Sequence, residues 1–228
     1  MFARGWYWWL DYVYVVLRQL RSVVDRHPVS SYADGDLAPV LLLPGVYEPW
    51  QFLRPIADRL HALGHPVHIV TGLGYNRSSV RDAAALAQRS LELGDLRGVV
   101  IVAHSKGGLI GKHMMVVDDL AAGGNRIDAM VAIATPFGGS RYARYFLNRT
   151  IRAFSPTEAT LVMLAAQGEA NSRITSVFGT FDPHIPEGSR LEGASNIEID
   201  VSGHFRLLSD ERVLVAVEQA LGHPAGVD

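Results

Sequence analysis

Val99-Val-Ile-Val-Ala-His-Ser-Lys-Gly-Gly108 joins two kinds of pattern within ten residues. Its first half is an apolar run without alternation, as expected of a strand covered on both faces. The run stops at Ala103-His104-Ser105-Lys106-Gly107, and a helix-like pattern follows from Gly108 to about Leu120. A serine at such a junction is held out of the sheet in a strained conformation. Small residues two before and two after it, Ala103 and Gly107, fit a turn in which those positions approach closely. The helix that follows points its unpaired N–H groups and positive dipole end toward Ser105.

Outward from this junction, apolar runs at 40–43, 67–70, 129–134, 173–179 and 196–201 read as further strands. Helical patterns at 50–63, 80–93, 108–120 and 210–221 alternate with them, several punctuated by Pro49 at the start or by Gly64 and Gly94 at the end. This alternation predicts an α/β fold with a predominantly parallel sheet of about six strands and helices on both faces, built from right-handed crossovers. Sites in such sheets lie beyond the carboxyl ends of the strands. Pro44-Gly45-Val46-Tyr47, Thr180-Phe181-Asp182-Pro183 and Ser202-Gly203-His204-Phe205 all leave a strand at that end.

The pattern Ala103-His-Ser-Lys-Gly-Gly108 resembles the nucleophile elbow of the α/β-hydrolases, in the variant with Ala for the first Gly carried by some bacterial lipases and esterases. Ala134-Thr-Pro-Phe-Gly-Gly-Ser140 resembles a stretch after the sixth strand of the same enzymes, and the likeness extends over about residues 38–222. It implies a catalytic triad arriving in the chain order Ser, acid, His: Ser105 as nucleophile, Asp182 as acid, His204 as base. His184 is an alternative base, and Glu187 and Asp200 are alternative acids. The resemblance also implies an oxyanion hole from the N–H groups of Val46 and Lys106. Where relatives carry His-Gly this chain has Pro44-Gly45, so the Tyr47 N–H or hydroxyl is a second candidate donor. Tyr47 and Phe137 are the expected substrate contacts. His104 is expected to pack at the turn, and the Lys106 side chain either to be solvated or to form a positive rim. The implied reaction is hydrolysis of a small-molecule carboxylic ester without cofactor or metal, with lipid or long-acyl esters favoured by the apolar insertion and the aromatic N-terminus. Acyl transfer, thioester or amide cleavage, and a catalytically silent binding module are alternatives.

The chain has 228 residues, enough for one well-formed core, and no linker, repeat or low-complexity block. Residues 31–228 read as the catalytic domain, with a helical insertion at about 141–170 whose Phe146, Leu147, Ile151, Phe154, Leu161, Met163 and Leu164 are available to line a pocket, form a lid or pack into the core. The net charge of −2 gives no electrostatic reason for a nucleic-acid partner. The absence of cysteine excludes disulfides, thiolate metal sites and cysteine nucleophiles.

Residues 1–30 stand apart from that domain. Trp6, Trp9, Leu10, Val13, Val16, Leu17, Leu20 and Val24 share one broad face of a helix over 6–24, with Asp11, Arg18, Ser22 and Asp25 opposite. Asp11 and Arg18 interrupt the run too early for a bilayer span, and no small-residue cleavage site follows as in a signal peptide. The apolar face is expected to pack on its own domain, to drive self-association, or to lie at a membrane surface. The corresponding location is the cytoplasm or its membrane periphery.

Overall fold

The computed structural model describes residues 2–25, 27–121, 126–145 and 148–223. Six strands form one sheet: β1 (Val40–Leu43), β2 (Val67–Ile69), β3 (Val99–His104), β4 (Ile127–Ile133), β5 (Ile174–Phe181) and β6 (Ser195–Ser202). Their order is β2-β1-β3-β4-β5-β6 and every pairing is parallel. The chain runs from β1 outward to β2, then returns to place β3 on the other side of β1. That reversal is a topological switch point, where the loops after β1 and β3 diverge and leave a crevice.

Seven α-helices lie among the described residues: α1 (Phe2–Val24), α2 (Arg54–Ala62), α3 (Val80–Leu93), α4 (Lys106–Leu120), α5 (Arg149–Arg152), α6 (Ala159–Ala166) and α7 (Glu211–Ala220). The strands are apolar on both sides because each side meets a different helical layer. Leu41, Leu43, Ile101, Ala103, Met130 and Ala132 pack with α3 and α4, whereas Val40, Leu42, Val102, Val131 and Ile133 pack with α2 and α7. α3 starts where the Ser79 side chain accepts from the Asp82 N–H at 3.0 Å, and Gly94 follows its last residue.

Two helix starts differ from the expectations. α4 begins at Lys106, two residues before the expected start, so the turn contains no spare residue between Ser105 and the helix. The segment 50–53 is 3-10 rather than α, ahead of Pro55 in the first turn of α2. The insertion is split by function: α6, capped by the Glu158 carboxylate, buries Leu161 and Leu164 in the core beside α4, while Ile151 and Phe154 face the cavity described below. Phe146 and Leu147, and the Trp6 side chain on α1, lie outside the described residues.

α1 packs on its own domain, but by the face opposite to the one its hydrophobicity predicts. Asp11 is fully buried, whereas Trp9, Val16, Leu17, Leu20 and Val24 are 51–75% exposed. On the inward face the Asp11 carboxylate meets the backbone N–H groups of residues 204–206, beside Trp8, Tyr12 and Val15. No helix among the described residues is long and apolar enough to cross a membrane.

Candidate active site

Ser105 follows β3 directly with φ 52° and ψ −120°, a conformation that costs an L-residue energy and holds only where the surroundings fix it. Its N–H donates to the Ile133 carbonyl of β4 at 2.9 Å, which ties the turn to the neighbouring strand. The two glycines after Lys106 set how closely α4 can start against the sheet. A Cβ at Gly107 would lie 2.0 Å from the Leu43 carbonyl oxygen, and one at Gly108 would lie 2.0 Å from Thr135 Oγ1. Gly107 is therefore small because the last residue of β1 passes over it, a tertiary reason in addition to the turn itself. Gly108 is small because the chain leaving β4 does the same.

Ser105, His204 and Asp182 meet at the carboxyl end of the sheet. Ser105 Oγ lies 2.9 Å from His204 Nε2, and His204 Nδ1 lies 2.7 Å from Asp182 Oδ2. Asp182 follows β5, and its other oxygen, Oδ1, accepts from the N–H groups of His184 at 2.7 Å and Ile185 at 3.1 Å. The aspartate is thus a turn residue and an imidazole partner at once: one oxygen closes the Asp-Pro turn, and the other is left for His204. Burial disfavours a charged imidazole, but the carboxylates of Asp182, Asp11 and Glu48 outweigh it and raise the His204 pKa above its ordinary 6.5.

Of the alternatives, Glu187 pairs with Arg141 at 2.8 Å, and Asp200 is exposed on β6. His184 lies beside the cluster, its ring centroid 5.2 Å from that of His204, but no contact joins it to Ser105. Among the described residues no group of three or more His, Asp or Glu side chains is placed to hold a metal ion.

His104 packs at the turn as expected and does more than fill space. Its Nδ1 faces the buried Glu48 carboxylate at 2.8 Å, and its Nε2 faces the His204 carbonyl at 3.1 Å. The same Glu48 accepts from the Gly45 N–H at 2.8 Å, so one buried carboxylate braces both the loop after β1 and the turn at His204. Sequence reasoning missed Glu48. Its signal was an acidic residue three after Gly45, at reach of that glycine's amide.

The Lys106 side chain corrects both sequence expectations, since it is neither solvated nor part of a positive rim. It is 2% exposed, with Nζ donating to the Asn76 carbonyl at 2.8 Å, Asn76 Oδ1 at 3.2 Å and the Ser78 carbonyl at 2.5 Å. Burial lowers its pKa to about 8. Asn76, itself buried at φ 47°, donates from Nδ2 to the Pro44 carbonyl at 2.7 Å. Lys106 and Asn76 together fasten the loop after β2 to the loop after β1.

Tyr47 has φ 61°, its N–H is committed to the Tyr75 carbonyl at 2.8 Å, and its hydroxyl accepts from Asn148 Nδ2 at 2.6 Å. The N–H alternative is thereby removed, whereas Val46 borders the cavity above Ser105. Phe137 does not border it. The residue is 9% exposed and packs into the core on the α3 and α4 side, because Pro136 and Ser140 take the wall positions instead.

The cavity over Ser105 and His204 has a volume of about 300 Å³. Its walls are apolar and come from four parts of the chain: Trp8, Tyr12 and Val15 of α1, Val46 and Phe52, Ile151 and Phe154 of the insertion, and Ile185 and Phe205. Trp8 and Tyr12 were not expected there. The ring centroid of Trp8 is 4.6 Å from that of His184, which carries α1 into the site.

No protein-family model and no curated protein matches the sequence. Solved structures do. A Bacillus licheniformis lipase in its mature form superposes with a TM-score of 0.62 at 13% identity, covering 83% of this chain and 92% of that one. An extracellular α/β-hydrolase from a Paenibacillus species gives 0.56 at 17% identity over 84% and 100%. A monoacylglycerol lipase of Paleococcus ferrophilus gives 0.58 at 14% identity over 82% and 96%. At such identities the likeness bears on architecture, and it agrees with the six-stranded parallel sheet and its helices: the chain has the α/β-hydrolase fold.

Proposed function

We propose that the chain hydrolyses carboxylic esters through Ser105, His204 and Asp182. The observation that carries this reading is the continuous relay of 2.9 Å and 2.7 Å contacts from Ser105 Oγ through the His204 ring to Asp182, at the base of an apolar cavity. His204 Nε2 takes the Ser105 proton as Oγ attacks the ester carbonyl carbon. Asp182 keeps the Nδ1–H tautomer in place and stabilises the imidazolium. The carbonyl oxygen becomes an oxyanion held by the N–H groups of Val46 and Lys106; the latter, in the first turn of α4, has no acceptor within its own helix. The tetrahedral adduct collapses, the alcohol leaves with the proton from His204, and an acyl-Ser105 ester remains. Water then attacks that ester with His204 as base, releasing the acid and restoring Ser105.

The aromatic and aliphatic walls favour an acyl group over a polar one, and about 300 Å³ lies at the small end of ligand pockets. Short and medium acyl chains are the expected substrates. A fluorophosphonate probe tests the reading directly: it labels the folded chain and leaves Ser105→Ala unlabelled. Folded protein without label, or equal label on both, refutes it. Hydrolysis of p-nitrophenyl esters of graded length then reports the acyl preference, expected to fall off for long chains.

A further inference from the structure

The buried carboxylate of Asp11 belongs to a helix outside the crossover repeat of the fold, yet it sits 193 residues away in sequence against the turn that carries His204. Asp11 Oδ2 accepts from the His204 N–H at 2.9 Å, and Oδ1 accepts from the N–H groups of Phe205 at 3.0 Å and Arg206 at 3.1 Å. Gly203, at φ +125°, bends the chain so that three successive amides converge on one acceptor, and a Cβ there would lie 3.0 Å from Asp11 Oδ1. Gln19, two helical turns along α1, donates from Nε2 to the Tyr47 carbonyl at 3.0 Å, so the same helix also grips the loop after β1.

We propose that Asp11 is a positioning residue for His204: its carboxylate fixes the backbone from which the imidazole reaches Ser105, and its charge supports the imidazolium. His204 is held by its N–H through Asp11 and by its carbonyl through His104, so both peptide groups that set the ring's position are fixed from outside the turn. Such double fixing is what keeps a base within the few tenths of an ångström that proton transfer requires.

The groups facing His204 are Ser105 and His104 at the end of β3, Asp182 and His184 after β5, Glu48 after β1, and Asp11 on α1. His184 Nε2 lies 3.6 Å from Asp11 Oδ2, so it shares that carboxylate with the His204 turn. Burial would raise the pKa of Asp11, but the His184 contact and the amides of His204 and Arg206 lower it, so the group is anionic throughout the neutral range.

The kinetic arm of the test rests on the ester-hydrolase reading; a spectroscopic arm does not. Asp11→Asn removes the charge and keeps one acceptor oxygen, enough for the Phe205 and Arg206 amides but leaving an NH2 group against the His204 N–H, whereas Asp11→Ala removes the charge and every acceptor. With p-nitrophenyl butyrate, Asp11→Asn is expected to move the acid limb of kcat/KM to lower pH by roughly 0.5 or more, with kcat on the plateau reduced by less than about tenfold. Asp11→Ala is expected to lose about 10 to 100-fold in kcat with KM little changed. The second arm follows the His204 ring by NMR in protein carrying 13C-histidine, assigned with His204→Gln. Its titration midpoint is expected to fall in Asp11→Asn whether or not the protein turns over ester. If the fluorophosphonate leaves Ser105 unlabelled while the His204 midpoint still falls, the ester-hydrolase reading fails and the Asp11 assignment stands. An unmoved midpoint, with plateau kcat within twofold of wild type, overturns the assignment. Should Asp11→Ala fail to fold, Asp11→Asn alone decides between these outcomes.

Discussion

Asp182→Asn is the substitution whose outcome the geometry constrains most tightly. Oδ1 of Asp182 accepts from two backbone amides at 2.7 and 3.1 Å, and neither amide can bond to an NH2 group. An asparagine must therefore keep its oxygen on that side, which places Nδ2 where Oδ2 now lies, 2.7 Å from His204 Nδ1. A donor at that point forces the imidazole to carry its proton on Nε2, directed at Ser105 Oγ, and the base is lost without any change of shape. Loss of the correct tautomer costs about 10⁴ in kcat in a serine-histidine-aspartate relay, roughly 5.4 kcal/mol of transition-state stabilisation. The turn keeps both of its amide bonds, so the melting temperature is expected to shift by no more than about 4 °C, equivalent to about 1 kcal/mol in a chain of this size. Steady-state hydrolysis of a p-nitrophenyl ester, read beside a thermal melt of the same sample, gives both numbers. More than about 1% residual kcat in a folded variant would refute the assignment of Asp182 as the group that sets the His204 tautomer. A melting temperature reduced by much more than that would show that the residue acts through the fold.

Wild-type kcat/KM is expected to fall on the acid side with a midpoint above pH 6.5, because the base must be neutral and neighbouring carboxylates raise the pKa of His204; a midpoint below 6.5 contradicts that environment. Gly107→Ala places a methyl carbon 2.0 Å from the Leu43 carbonyl oxygen, where ordinary contact begins at 3.4 Å, so α4 must retreat by about 1.4 Å. The expected cost is about 1–3 kcal/mol in stability and about 100-fold in kcat, and unchanged kinetics would show that the turn can give way elsewhere. Lys106→Met leaves the carbonyl oxygens of Asn76 and Ser78 without their ammonium donor and is expected to cost about 1–3 kcal/mol, measured as a melting temperature lower by several degrees. Tyr47→Phe is expected to reduce kcat by less than about tenfold, since the hydroxyl is bonded to Asn148; a loss beyond about 100-fold would place that hydroxyl at the oxyanion after all.

What the sequence determines by itself is the local grammar. Apolar runs, glycines and prolines at helix ends, and the abrupt stop at Ser105 locate strands and helices to within a few residues, because those signals act between neighbours in the chain. The order of Ser105, Asp182 and His204, each just past a strand, was legible for the same reason: a parallel sheet carries all such loops to one end. Tertiary structure alone decided which side chains meet there. Lys106 reads as a solvated cation until the Asn76 and Ser78 carbonyls are brought over it. Phe137 reads as a wall until the chain after β4 turns it into the core. Glu48 and His104 become one brace only when β1 and β3 lie side by side. α1 is the clearest case. Periodicity gives a helix its apolar face but not the partner it will meet: the helix docks with Asp11 on the amides of residues 204–206 and Trp8, Tyr12 and Val15 at the cavity, and leaves Trp9, Val16, Leu17, Leu20 and Val24 outward.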